Sequence, residues 1–100
     1  MDELRTRSKL LFGNKLRAEI GALIAVAEPG VIYARELAQC LHVADSQVQP
    51  ELKRLTQAGL LVQMPKPAGQ SIQYYERMPH PYWEACRAVV VHERSEPQAT

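Results

Sequence analysis

The sequence predicts a mainly α-helical domain with a small β-hairpin, its elements ordered α-β-α-α-β-β-α. Three observations predict it. Between Tyr33 and Leu61 two short helical apolar patterns are joined by a tight turn and closed by a glycine. Directly after that glycine, two strand-like runs flank a loop rich in proline and glycine. Apolar stripes of helical period lie on both sides of this block.

Each element can be justified from its residues. Residues 2 to 12 form a basic, amphipathic lead-in with Leu4, Leu10, Leu11 and Phe12 apolar; Gly13-Asn14 interrupts it, and Asn14 can cap the next helix. From Lys15 to about Ala27, Leu16, Ile20, Leu23, Ile24 and Ala27 share one stripe of a scaffold helix that stops at Glu28-Pro29-Gly30. Val31-Ile32-Tyr33 is a short apolar run able to add a third strand. Leu37, Ala38 and Leu41 then recur at helical spacing, Val43 anchors the turn, and Val48, Leu52 and Leu55 resume the period at i, i+4 and i+7. Asp45 is the expected N-cap of this second helix, its carboxylate accepting from the free amides of the first turn. Gly59 is the expected left-handed stop.

The runs Leu60 to Met64 and Ser71 to Arg77 read as strands around the loop from Pro65 to Gln70. Tyr74 and Tyr75 alternate across the second of them, so one is expected inward and the other outward. Pro79-His80-Pro81 opens a last helix carrying Tyr82, Trp83, Cys86, Val89 and Val90, apolar over more than one face. A terminal helix so apolar on so small a domain either only closes the domain core or, the favoured expectation, pairs with a second copy of the chain together with the segment from Leu4 to Phe12. Domain boundaries are therefore expected at 1–94, with residues 95–100 a frayed tail.

The helix from Asp45 onward has one apolar stripe, and its opposite face carries Ser46, Gln47, Gln49, Lys53, Arg54 and Gln57. All of these donate hydrogen bonds, and the amides and hydroxyl also accept, which suits the edges of bases in a major groove. Two helices so spaced make a helix-turn-helix, and a hairpin directly after the second helix is a wing. Pro50 departs from a regular pattern, because it removes a backbone donor and pushes its ring toward the carbonyl of Ser46. Either the helix kinks there, or residues 45 to 49 form a separate turn and the regular helix begins with Pro50 at its first position. Such a change is either a harmless irregularity or an alteration of groove contact through Gln47 and Gln49.

With Arg35-Glu36-Leu37-Ala38, Val48-Gln49, Glu51-Leu52-Lys53-Arg54-Leu55 and Ala58-Gly59-Leu60-Leu61, the chain resembles the winged helix-turn-helix transcription regulators. Within these it looks most like the ArsR-like group of small bacterial repressors, over roughly residues 10 to 92. The resemblance implies a dimeric DNA-binding protein whose terminal helices form the interface. Where that group senses metals, its thiolate motif would fall near Ile32 to Arg35, and no cysteine stands there.

Composition is consistent with this reading. One hundred residues suit one domain, burying about two-thirds of the surface of the unfolded chain. No apolar run approaches the roughly 20 residues of a membrane span, and the first residues lack the apolar core of a signal peptide, so a cytoplasmic location is expected. Cys40 and Cys86 lack a CxxC spacing and are expected to be buried thiols. Net charge is only +1. Residues 1 to 17 carry Arg5, Arg7, Lys9, Lys15 and Arg17 against Asp2 and Glu3, whereas cations and carboxylates nearly balance from 33 to 77. So few cations give a monomer weak hold on phosphates, and useful affinity would need two copies with matched faces.

Metal ligation and catalysis find little support. Cys40 and His42 lie two apart on different sides of a helix and cannot converge on one ion unaided. His80 and His92, near Glu84 and Glu93, loosely resemble an interfacial zinc site, but the spacing fails and Met78 stands where an acidic ligand belongs. No metal, no cofactor and no enzymatic activity are expected, since the chain has no phosphate-binding glycine loop, nucleophile–base pair or clustered carboxylates.

The expected function is therefore a small homodimeric repressor of transcription on a pseudo-palindromic operator in double-stranded DNA. Ser46, Gln47, Gln49 and Lys53 are expected to read bases, and Arg35, Arg54 and Lys66 to hold phosphates. Leu10, Leu11, Phe12, Trp83, Val89 and Val90 are expected at the dimer interface, and the sequence names no effector. The alternative keeps the fold without DNA: a protein-interaction module, favoured by the low net charge and by Pro50 and Glu51 on the reading helix.

Overall fold

The computed structural model describes residues 2–95; of the tail expected at 95–100, Ser95 ends the last helix and residues 96–100 lie outside the described residues. Helices α1 (Asp2–Phe12) and α2 (Arg17–Val26) precede strand β1 (Val31–Ile32). Helices α3 (Ala34–Leu41) and α4 (Asp45–Gln57) come next, then strands β2 (Leu61–Gln63) and β3 (Tyr75–Arg77), then helix α5 (Pro81–Ser95). The lead-in is thus a helix in its own right, one element more than the expected order. Gly13, at φ +82°, turns the corner into α2. Asn14 is not the N-cap of α2, which falls on Leu16 without a side-chain bond, but its Oδ1 accepts the amide of Leu16 at 2.8 Å within the corner. Buried Ser8 ties α1 to it, donating to the carbonyl of Asn14 at 2.7 Å and accepting from the amide of Ala18 at 3.0 Å.

The sheet is antiparallel with β3 in the middle, pairing Ile32 with Tyr75 on one side and Leu61 with Arg77 on the other. Its hairpin strands are shorter than the apolar runs that predicted them. Pro65 and Pro67 have no amide to donate, and Gln73 fills the gap by donating its side-chain amide to the carbonyls of Met64 and Tyr74, at 2.8 and 2.9 Å. Both tyrosines are half-buried: Tyr75 packs on the core, and Tyr74 meets Tyr33 edge-on at 5.2 Å.

One core joins α2, α3, α4 and the sheet. Ile20 and Ile24 share it with Leu37, Val48, Leu52 and Leu55, which the spacing placed inward, and with Leu61 of β2. Complete burial of each large aliphatic side chain contributes about 1.5–3 kcal/mol relative to exposure. Trp83 closes the same core at 5% exposure and donates its indole N–H to the carbonyl of Met78 at 2.6 Å. Further along α5, Val90 joins Leu4 and Ala18 in a smaller cluster. The two helices α2 and α5 touch at Gly21, where a side-chain Cβ would overlap the sulfur of Cys86 and lie 2.8 Å from its Cβ.

This arrangement corrects the interface expected from the sequence. Trp83 and Val90, at 5% and 7% exposure, are spent on the protein's own core and have no surface to give a partner. Phe12 and Val89 are half-buried against the smaller cluster, and Phe12 meets Tyr82 edge-on at 6.4 Å. Leu10 and Leu11 stand open, at 79% and 60%. Cys86 is buried as expected, but Cys40 is exposed, because α3 turns its Leu37–Ala38–Leu41 side to the core and Cys40 away from it.

Candidate nucleic-acid interface

The turn between α3 and α4 is built without glycine. His42 takes the left-handed conformation, φ 58° and ψ 44°, and the amide of Val43 bonds back to the carbonyl of Ala38 at 3.0 Å. Histidine is among the residue types enriched in that region, which is why the turn was legible by spacing although it lacks the usual glycine. At the far end of α4, Gly59 is the expected stop at φ +84°: its amide bonds the carbonyl of Thr56 and that of Leu60 the carbonyl of Leu55. Asp45 is not the N-cap. Ala44 occupies that position without a side-chain bond, and Asp45 is the first helical residue, its carboxylate 3.6 Å from Arg35. It still favours the positive end of the helix, and the pair itself is exposed enough to be worth under about 1 kcal/mol.

Helix α4 runs unbroken from Asp45 to Gln57 with Pro50 inside it, so residues 45 to 49 are not a separate turn. Proline is accommodated at an exposed position, where the carbonyl of Ser46 goes without its helical donor. Ser46, Gln47, Gln49, Lys53 and Gln57 are exposed as well, and within the described residues their side chains make no hydrogen bond or ion pair. Unpaired, they remain free to bond groups outside the protein.

Arg54 behaves differently from its neighbours. Glu51, on the buried side at 4% exposure, receives Arg54 at 2.6 Å and Arg17 of α2 at 2.9 Å. The first effect of Glu51 on Arg54 is the hydrogen bond, which raises the guanidinium pKa above its ordinary value. Arg17 also donates to the carbonyl of Phe12, locking the α1–α2 corner against α4. Arg54 is therefore chiefly a structural counter-ion, correcting the expectation of a free phosphate contact. Glu51, counted from the sequence as a negative charge on the reading helix, is removed from that face.

A groove flanks α4 on each side. The first, about 510 Å³, lies toward the wing and brings Arg35, Asp45, Gln49 and Lys66 together with Tyr33 and Gln73. The second, about 380 Å³, lies toward the α1–α2 corner and is lined by Asn14, Lys15, Arg17, Ser46, Gln47 and Pro50 with Glu51 and Arg54. Lys15 is exposed at the mouth of this groove. Sequence reading missed its place, having counted it only in the basic N-terminal surplus. Arg77 was also missed: from β3 its Nη1 donates to the carbonyls of Ile24, Ala25 and Ala27 at 2.8–2.9 Å, capping α2 and holding the base of the wing. Gly30, at φ +98°, leaves room for that guanidinium.

Of the remaining candidates, His80 has a structural role. His80 accepts the amide of Tyr82 on Nδ1 at 3.0 Å, which caps α5. No cluster of three His, Cys, Asp or Glu side chains suited to a metal occurs among the described residues, and the side chain of Glu93 lies outside them.

Helix-turn-helix, three-stranded sheet and wing together define a winged helix-turn-helix fold. Two solved structures share it. The adhesin competence repressor AdcR of Streptococcus pyogenes superposes with a TM-score of 0.60 at 16% identity, covering 91% of this chain and 68% of that one. A transcriptional regulator superposes with a TM-score of 0.60 at 17% identity, covering 97% of this chain and 78% of its own. No family model and no curated protein matches the chain.

Proposed function

We propose that this protein is a sequence-specific, double-stranded-DNA-binding transcriptional regulator that acts as a homodimeric repressor on a pseudo-palindromic operator. One observation carries the reading: the polar side of α4 is exposed and unpartnered between two grooves that hold cations. Ser46, Gln47, Gln49 and Lys53 read bases; Arg35, Lys66 and Lys15 hold phosphates on either side. Arg54 acts through Glu51, holding α4 at its angle to the α1–α2 corner. Leu10 and Leu11 at the end of α1 are the apolar surface offered to the second copy. The resemblance to ArsR-like repressors and the fold shared with named regulators support the same reading. The cytoplasm is the compartment where such a protein works. The described residues contain no helix long and apolar enough to cross a membrane.

The interaction-module alternative loses one of its supports, since Glu51 is buried away from the reading face. Selection of bound sequences from random duplex DNA separates the two. A regulator yields a palindromic consensus whose affinity falls steeply as salt rises, and Lys53→Ala weakens it about tenfold with a shallower salt slope. Sequence-blind binding unaffected by Lys53→Ala would overturn the proposal.

A further inference from the structure

Ser46, Pro50, Lys53 and Gln57 succeed one another at i, i+4, i+7 and i+11, which brings them within about 60° of one another around α4. All four are exposed, and the helix turns Val48, Leu52 and Leu55 inward on the opposite side. They form the crest of the helix, with Gln47 and Gln49 to either side of it. In the middle of that crest stands a side chain with neither donor nor acceptor.

We propose that Pro50 is a specificity-determining residue that contacts the 5-methyl group of a thymine, within a half-site where Gln47 and Gln49 pair with adenines. The inference rests on the DNA-binding reading above and names the duplex it takes. Of the groups a major groove presents, only the thymine methyl suits an apolar ring, whereas glutamine offers the paired donor and acceptor that match adenine N7 and N6. The guanidinium fork that best reads guanine is missing from the crest. Arg54 is turned to Glu51 through bonds of 2.6 and 3.3 Å, and Arg35 lies on α3 beside Asp45. Lys53 is the cation left on the crest among the described residues, and it is a point donor without that geometry. Continuity of α4 through Pro50 keeps the ring in register with the glutamines.

The test begins with the duplex obtained by that selection. Each thymine in turn is replaced by uracil, which removes the methyl group and leaves every hydrogen-bonding atom in place. Uracil at one position per half-site is expected to weaken the native protein about fourfold per site, the effect of one buried methyl. Pro50→Ser, which restores a helical donor, puts a polar group in place of the apolar ring and should keep the helical circular dichroism, is expected to bind the thymine and uracil duplexes equally. A consensus without thymine sensitivity, or sensitivity retained in Pro50→Ser, overturns the inference while leaving the DNA-binding reading standing. Absence of any selected duplex overturns both.

Discussion

Helices α4 and α5 are both amphipathic, yet their apolar residues serve different ends. On α4 a single stripe is buried and the other side is left to polar groups without internal partners. On α5 the apolar residues spread over more than one face because the helix has two internal partners, the main core through Trp83 and the α1–α2 cluster through Val90. An apolar excess on a terminal helix therefore signals extra neighbours without saying whether they belong to the same chain. Among the described residues the most open large apolar side chains are Leu10 and Leu11 at the end of α1, with Val26, Val62, Ile72 and, on α5, Val91 also exposed.

Breaking the α2–α5 contact should have the largest effect. Gly21→Ala forces a methyl group into Cys86 where the helices touch, and about 3 kcal/mol of stability should be lost, lowering the melting temperature by more than about 10 °C. Shrinking Cys86 to glycine in the same chain should recover part of it. A melting temperature unchanged in Gly21→Ala would mean that α5 is loosely held, and the contrast with α4 would collapse.

Charging the end of α1 tests the proposal that a second copy docks there. Leu10→Glu with Leu11→Glu should weaken dimerisation at least about thirtyfold, since each carboxylate would be buried without a partner. Both positions are open in the monomer, so thermal stability at low concentration should scarcely change. Sedimentation of the two proteins over a dilution series reads the difference; equal association constants would remove α1 from the interface.

The smallest effect sharpens the account of α5. The Tyr82 hydroxyl is buried without a hydrogen bond of ordinary geometry, with the weakly bonding thiol of Cys86 beside it. Tyr82→Phe should therefore be neutral or stabilising, within about 1 kcal/mol. Burial raises both pKa values above their ordinary 10.0 and 9.0, desolvation being the first cause in each. A group whose folded pKa is raised contributes its full stability below the unfolded value and loses it as pH climbs past that value. Urea midpoints should accordingly fall above about pH 9, and Tyr82→Phe should remove the part of the decline that begins near 10.0. A decline of the same size in both proteins would show that the phenol does not contribute.

Legibility in the sequence tracked periodicity. Helical spacing placed Leu37, Val48, Leu52 and Leu55 inside and Ser46, Gln47, Gln49 and Lys53 outside, and Gly59 marked the stop of α4. Periodicity does not report long-range polar bonds, however. The i,i+3 spacing of Glu51 and Arg54 is local, but it does not report that Glu51 is buried and shared with Arg17, which holds Arg54 while Lys53, one residue earlier, stays free. Nor does anything local announce that Arg77 reaches the end of α2 or that Lys15 stands at the mouth of the corner groove. Asp45 was misplaced by one residue because an acidic side chain suits the first turn as well as the cap. The seat of Trp83 was misjudged because apolar content records burial without naming the partner.

The wing joins a clamped base to a loosely tied tip. Arg77 binds the last carbonyls of α2, whereas the segment from Met64 to Tyr74 is joined across its neck by the amide of Met64 on the carbonyl of Tyr74 and by Gln73. Extra residues spliced at Ala68-Gly69 would lengthen the hairpin without disturbing its root. That junction is a natural place to graft a reporter peptide or a longer finger while α4 keeps its geometry.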